Sequence, residues 1–166
     1  KLLVNGNFGD SKQLTSIFSP GLKISEASSF HYQMNSESKE TDFSFRSSEF
    51  TYNKLAFNNF DLSFSSRDDV LTLLTKSSSI NFGDSLRIGE LILSLNGSSD
   101  SSTLVLNVDK ERDSDLTVYL ESTLAYNMNK LYADVEEGKL FVLDSLWEIN
   151  SVSEIRIDTS GIHIPL

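Results

Sequence analysis

Few residues in this 166-residue chain have the types and spacing to do chemistry. Gly83-Asp84-Ser85-Leu86 carries the letters of an esterase nucleophile motif. In such enzymes the serine follows a strand and opens a helix beside an oxyanion hole, and an Asp-x-x-His pair near the chain end supplies the base. Here Ser85 runs into Arg87, Ile88 and the alternating Leu91, Leu93 and Leu95, which is strand, and Asp158 and His163 are wrongly spaced. The motif reads as a turn. Asp109, Glu111, Asp113 and Asp115 alternate as calcium ligands sometimes do. Lys110 and Arg112 interleave them, Ser114 stands where an EF-hand needs glycine, and Leu120 where it needs glutamate, so this too reads as a solvated turn. Asp68-Asp69 and Glu136-Glu137 read as turns, with no spacing that frames a cleft for paired carboxylates. His31 and His163 lie far apart in strand-like runs and read as surface or packed side chains. Asn96-Gly97-Ser98 matches a glycosylation sequon, but its value as a hairpin turn suffices. Trp147 reads as a core or end-strand anchor. No enzyme and no cofactor or metal is expected.

The elements that carry these residues are strands. From Phe50 the apolar residues run Phe50, Tyr52, then Leu55, Phe57, then Phe60, Leu62, Phe64. About thirty residues later the order recurs as Ile80, Phe82, then Leu86, Ile88, then Leu91, Leu93, Leu95. Spacing within each set is two, the strand period. The sets are offset by Asn53-Lys54, Asn58-Asn59, Gly83-Asp84-Ser85 and Gly89-Glu90. Such offsets are what a bulge or bend inserts to return the next apolar set to one face. Phe30, Tyr32 and Met34 precede these runs, with a return through Phe43 and Phe45. Asn96-Gly97 turns the chain back through Leu104, Leu106 and Val108, and Asp109 to Asp115 leads to Leu116, Val118 and Leu120. Short strands are expected around Phe141, Leu143, Trp147, Ile149, Ile155, Ile157, Ile162 and Ile164. Only Asp10 to Phe18 reads as helix, with Leu14, Ile17 and Phe18 on one face and Pro20-Gly21 ending it. Strands every ten residues or so give an all-β expectation, with serine, asparagine, lysine and glutamate on a wet outer face.

Composition narrows the function classes. The net charge of -10 argues against nucleic acid and against docking on anionic head groups by charge. Cysteine is absent, which removes thiolate metal sites, disulfides and a thiol nucleophile. No run is long enough to span a bilayer as a helix, and no signal peptide is evident. Lys1 already stands in a strand-like run and Leu166 ends in another, so residues 1–166 read as a single segment excised from a longer protein.

The opening Leu2-x-Val4-x-Gly6-x-Phe8 strand, the short Asp10 to Phe18 helix and Ser19-Pro20-Gly21-Leu22 are followed by stepped strands. The chain closes on Leu146-Trp147-Glu148-Ile149 and Ile155-Arg156-Ile157-Asp158-x-Ser160-Gly161-Ile162-x-Ile164. This pattern resembles the TamB (translocation and assembly module) branch of the AsmA-like proteins, most of all Bacteroidetes-type members. The resemblance implies a curled sheet forming an open, taco-like groove with an apolar interior. It also implies a periplasmic setting, in a protein anchored in the inner membrane of a Gram-negative bacterium. The implied partners are phospholipid or another acyl-chain ligand, and an outer-membrane assembly factor of the TamA/BamA type.

On this expectation the groove is lined by Phe30, Tyr32, Met34, Phe43, Phe45, Phe50, Tyr52, Phe57, Phe60, Leu62, Phe64, Ile88, Leu91, Leu93, Leu95, Leu104 and Leu106. Two function classes stay open. One is a lipid-handling module that shields acyl chains for inter-membrane transport and supports outer-membrane biogenesis. The other is a non-catalytic β-solenoid or β-sandwich segment of a surface adhesin or carbohydrate-binding protein, in which the same residues are plain core. An isolated groove segment would have an exposed edge strand and a large apolar patch. The fragment is therefore expected to dimerise or to carry detergent or lipid.

Overall fold

Alternation of apolar and polar residues becomes a single open, curled antiparallel sheet in the computed structural model, and the protein is all-β. The structure describes residues 1–8, 19, 21–83, 86–98, 100–109, 116–127, 130–142, 145–158 and 161–163. The helix expected over Asp10 to Phe18 lies outside the described residues, as do Asp84-Ser85, residues 110–115, Leu143 and Ile164.

The first half of the chain forms β1 (Leu2–Phe8), β2 (Leu22–Ile24), β3 (Ser28–Asn35), β4 (Glu40–Tyr52), β5 (Leu55–Arg67), β6 (Val70–Ser77) and β7 (Ser79–Phe82). The second half forms β8 (Leu86–Ile88), β9 (Leu91–Gly97), β10 (Ser101–Val108), β11 (Leu116–Asn127), β12 (Lys130–Val142), β13 (Ser145–Asp158) and β14 (Gly161–His163). The main path runs β1-β3-β4-β5-β6-β9-β10-β11-β12-β13-β14. A side leaf branches from it, in which β2 pairs with the end of β4, and β7 pairs with the start of β5 and with β8. Tight turns close the hairpins where residues accept positive φ: Asp68 and Asp69 (φ 49° and 63°) between β5 and β6, and Asn53 (φ 55°) between β4 and β5.

The two leaves meet at a bend, and its geometry explains the offset apolar sets. Phe45 and Phe50 are five apart, which in a flat strand puts them on opposite faces. Their rings nonetheless lie 6.2 Å apart, edge to face. Phe57 and Phe60, three apart, lie at 5.7 Å. Both strands turn over at the same level: Ser47 pairs with Phe60 and Glu49 with Asn58, without a Ser48 to Asn59 pair between them. Asn59 accomplishes this in the left-handed region, at φ 48°. The line continues through Ser25 to Ala27 between β2 and β3, Ser78 between β6 and β7, and Gly89-Glu90 between β8 and β9.

Most polar groups buried among the described residues gather on this line, and Ser122 lies apart from it at the β11–β12 register shift. Ser28, Ser47, Ser77, Ser79, Asp109 and Ser122 are the buried polar residues among those described. Each break in the strands frees backbone groups that need partners, and serine hydroxyls supply many of them. Ser28 Oγ donates to Ser47 Oγ at 2.7 Å, and Ser47 Oγ donates to the Glu49 carbonyl at 2.5 Å. Ser77 Oγ reaches the carbonyls of Asn58 and Ser79 at 2.8 and 2.9 Å. Asn58 Nδ2 donates to Ser79 Oγ, and Asn59 Nδ2 to Ser78 Oγ, both at 3.0 Å. Ser122 Oγ donates to the Asp134 carbonyl at 3.0 Å, where β11 and β12 shift register. Of the buried apolar side chains, Phe45, Ile80 and Val108 stand beside the same line, while Val135 lies opposite Ser122 at the β11–β12 register shift, so most of the small core sits along the bend.

Three sequence expectations need correction. The hairpin turn expected at Asn96-Gly97 falls after it, because both residues are paired within β9. Gly97 is needed there for close approach, since a Cβ would lie 2.3 Å from the Ser101 carbonyl oxygen. The short strands expected beyond Lys139 belong largely to two long ones, β12 and the 14-residue β13, which absorb their irregularities as register shifts. Glu136-Glu137 lies inside β12 rather than at a turn, with Glu136 the extra residue opposite the Glu121/Ser122 step.

Ser47→Ala and Ser77→Ala should each lower unfolding free energy by about 1–2 kcal/mol, because each removes a buried hydroxyl that makes at least two hydrogen bonds at the bend. Ser36→Ala, in the exposed turn between β3 and β4, should stay within about 0.5 kcal/mol. Urea denaturation of the three variants checks this.

Candidate functional site: the apolar face inside the bend

Directly paired residues of antiparallel strands share a face, so the register can be followed across the sheet. One row runs Val4, Tyr32, Phe43, Phe64, Leu73, Leu95, Leu104, Ser122, Val135 and Val152. The neighbouring row runs Gly6, Phe30, Phe45, Leu62, Thr75, Leu93, Leu106, Leu120, Gly138 and Ile149. Met34 stands between Leu2 and Thr41 in a third row, and Leu91 pairs with Ser77 and Val108 in a fourth. On the side leaf, Ile24, Phe50, Phe57, Ile80 and Ile88 form one row and Leu22, Tyr52, Leu55 and Phe82 another.

The seventeen residues expected to line a groove therefore fall on two leaves. Phe30, Tyr32, Met34, Phe43, Phe45, Phe60, Leu62, Phe64, Leu91, Leu93, Leu95, Leu104 and Leu106 are on the main leaf, and Phe50, Tyr52, Phe57 and Ile88 on the side leaf. The aromatic rings tie the leaves together: Phe50 stacks on Phe60 at 5.1 Å and meets Phe57 at 5.7 Å, while Phe45 meets Phe60 at 6.0 Å and Phe8 at 5.8 Å. Of the seventeen, Phe45 is buried, Met34 and Tyr52 are exposed, and the other fourteen are half-buried. Among the described strands no second layer covers this face.

Sequence reasoning left out several members of the same face. Leu73, Leu120, Val118, Leu140 and Ile149 follow from the pairing just as Leu93 does, but alternation alone cannot say which strands are neighbours. Trp147, expected as a core or end-strand anchor, is instead 65% exposed and pairs with Leu140. It stands on an uncovered part of the apolar face, so nothing in the described protein packs over it.

The opposite face is polar and knitted across strands. Arg46 bonds Asp61 through Nε at 3.0 Å, and Arg67 forks onto Asp42 at 3.0 and 3.1 Å. The Asp42 hydrogen bond and charge raise the Arg67 pKa above its ordinary value. Lys139 pairs with Glu137, which likewise raises its pKa. His31 belongs to this face, with Nδ1 2.6 Å from Asn5 Oδ1. Tyr119 donates its hydroxyl to Glu121 at 2.7 Å. That bond, with burial and the charges of Glu121 and Glu137, pushes the phenol from 10.0 up to about 12. Exposed ion pairs of this kind contribute little stability each, and their arrangement fixes which face meets water.

No known protein family, curated protein or solved structure matches the chain. The site is therefore read from its own geometry: an apolar surface, folded along a bend, whose side chains are half in contact with each other and half open.

Because its folded pKa is raised, Tyr119 holds its proton more tightly in the folded state. Its contribution to stability is complete below pH 10 and is lost as pH rises through about 12. Tyrosinate absorbance should show one of the five tyrosines ionising late, and Glu121→Gln should bring it back toward the others.

Proposed function

We propose that this chain is a lipid-handling module of a TamB/AsmA-like periplasmic bridge protein. Its apolar face shields phospholipid acyl chains in transit between membranes and so supports outer-membrane biogenesis. The observation that supports this reading is the uncovered apolar face itself, on which fourteen of seventeen expected lining side chains remain half-exposed. A face that served only as core would be covered by a second layer.

Dimensions and energies agree with a conduit. Ten strands side by side at about 4.8 Å give the rows a length of about 43 Å. One leaflet's acyl chains need about 15 Å, so more than one chain can lie along a row. Removing a sixteen-carbon chain from water is worth about 12 kcal/mol. Its transfer from bilayer to an apolar groove is nearly neutral, so a lipid slides without being trapped. The polar face, with its bonded charges, keeps water on the other side. In the full-length protein, an outer-membrane assembly factor of the TamA/BamA type is the expected partner.

Native mass spectrometry with lipid extraction, on protein purified from bacteria, tests this. Phospholipid should co-purify, and Phe57→Asp with Leu93→Asp should abolish it while circular dichroism stays β. A lipid-free protein whose fold collapses with the same substitutions would make these residues plain core and remove the proposal.

A further inference from the structure

The two long edges of the open sheet are built differently. β13 shifts register against β12 between Ala133 and Val135, is covered at residues 156–158 by β14, and carries Glu148. Irregular, charged and capped strands are how sheets blunt an edge. β1 has none of these devices. Leu2–Phe8 contains no charged residue and no proline, and it pairs with β3 in unbroken register from Leu2 to Phe8. Among the described residues nothing pairs with its outer side, and Leu2, Leu3 and Val4 are 50%, 52% and 40% exposed.

We propose that β1 is a self-complementary interface at which a second copy of this chain adds its own β1, antiparallel, about a two-fold axis at Asn5. In that register Leu2 faces the second copy's Phe8, Val4 faces its Gly6, and the two Asn5 residues face each other. Every residue on the apolar face meets another on that face, because the register keeps the two-residue period. Gly6 matters here. A Cβ on it would lie 2.3 Å from the Phe30 ring, so that ring lies over the glycine and gives the incoming Val4 an apolar surface to pack on. The arrangement is closed by its own symmetry, which makes dimers rather than fibres. It joins the apolar faces of two copies into one surface. The pairing does not depend on the lipid reading, and its test reads a different quantity.

The chain has no cysteine, so one introduced thiol reports the register directly. Asn5→Cys should form a reducible dimer on air oxidation, since facing strand residues lie within the roughly 4.4–6.8 Å that a disulfide spans. Asn7→Cys should not, because the two copies of residue 7 would stand about 14 Å apart along the strands. Hydrogen exchange on the unaltered chain supplies a check free of substitution: β1 amides should gain about tenfold protection on going from dilute to concentrated protein, and β13 amides none. A monomer at every concentration, equal cross-linking at residues 5 and 7, or protection that appears on other strands would each overturn the proposal.

Discussion

The fold depends on a conflict between the two-residue period of a strand and the need to keep one face apolar around a corner. A strand that simply bends keeps its alternation. Here the strands turn over as they bend, so that Phe45 and Phe50, or Phe57 and Phe60, reach the same side. The step interrupts the ladder at the same level in neighbouring strands and leaves backbone groups without sheet partners. Serine is suited to that line, because its hydroxyl can both donate and accept within the volume of a small side chain. Ser28, Ser47 and Ser77 thus hold the corner while the rings on either side close over it.

Curvature decides what the apolar residues become. On a flat sheet this face would demand a covering layer, whereas folded along the bend it covers itself in part. Phe45 and Ile80, next to the corner, are buried, while Met34, Tyr52 and Phe82, toward the rims, are exposed. The gradient from dry corner to open rim is the physical basis for reading the face as a lipid path.

Much of this was legible in the sequence, and the limits have identifiable causes. Alternation in Phe43, Phe45 and in Leu91, Leu93, Leu95 gives strands and their apolar phase. The offsets reveal that the phase shifts. They do not reveal that Asn53-Lys54 is a hairpin turn while Asn58-Asn59 is a bend, because that difference lies in the pairing partner rather than in the residues. The serine line is hidden for a related reason. Serine read as outer-face polarity, yet Ser47 follows Phe43 and Phe45 in the apolar phase, and Ser77 occupies the equivalent step after Leu73 and Thr75. A hydroxyl standing where the phase calls for a large apolar residue was the available signal. Long-range pairing, as in the union of β6 with β9 around the β7–β8 hairpin, leaves no local trace.

Trp147 offers the most direct probe of the central claim, that the apolar face accepts acyl chains. It is the chain's one tryptophan and pairs with Leu140 on that face. Phospholipid brominated along its acyl chain should quench Trp147 fluorescence, in a saturable way, while lipid brominated at the head group should not. Equal quenching by both lipids, or by neither, would contradict an acyl-chain path along this face.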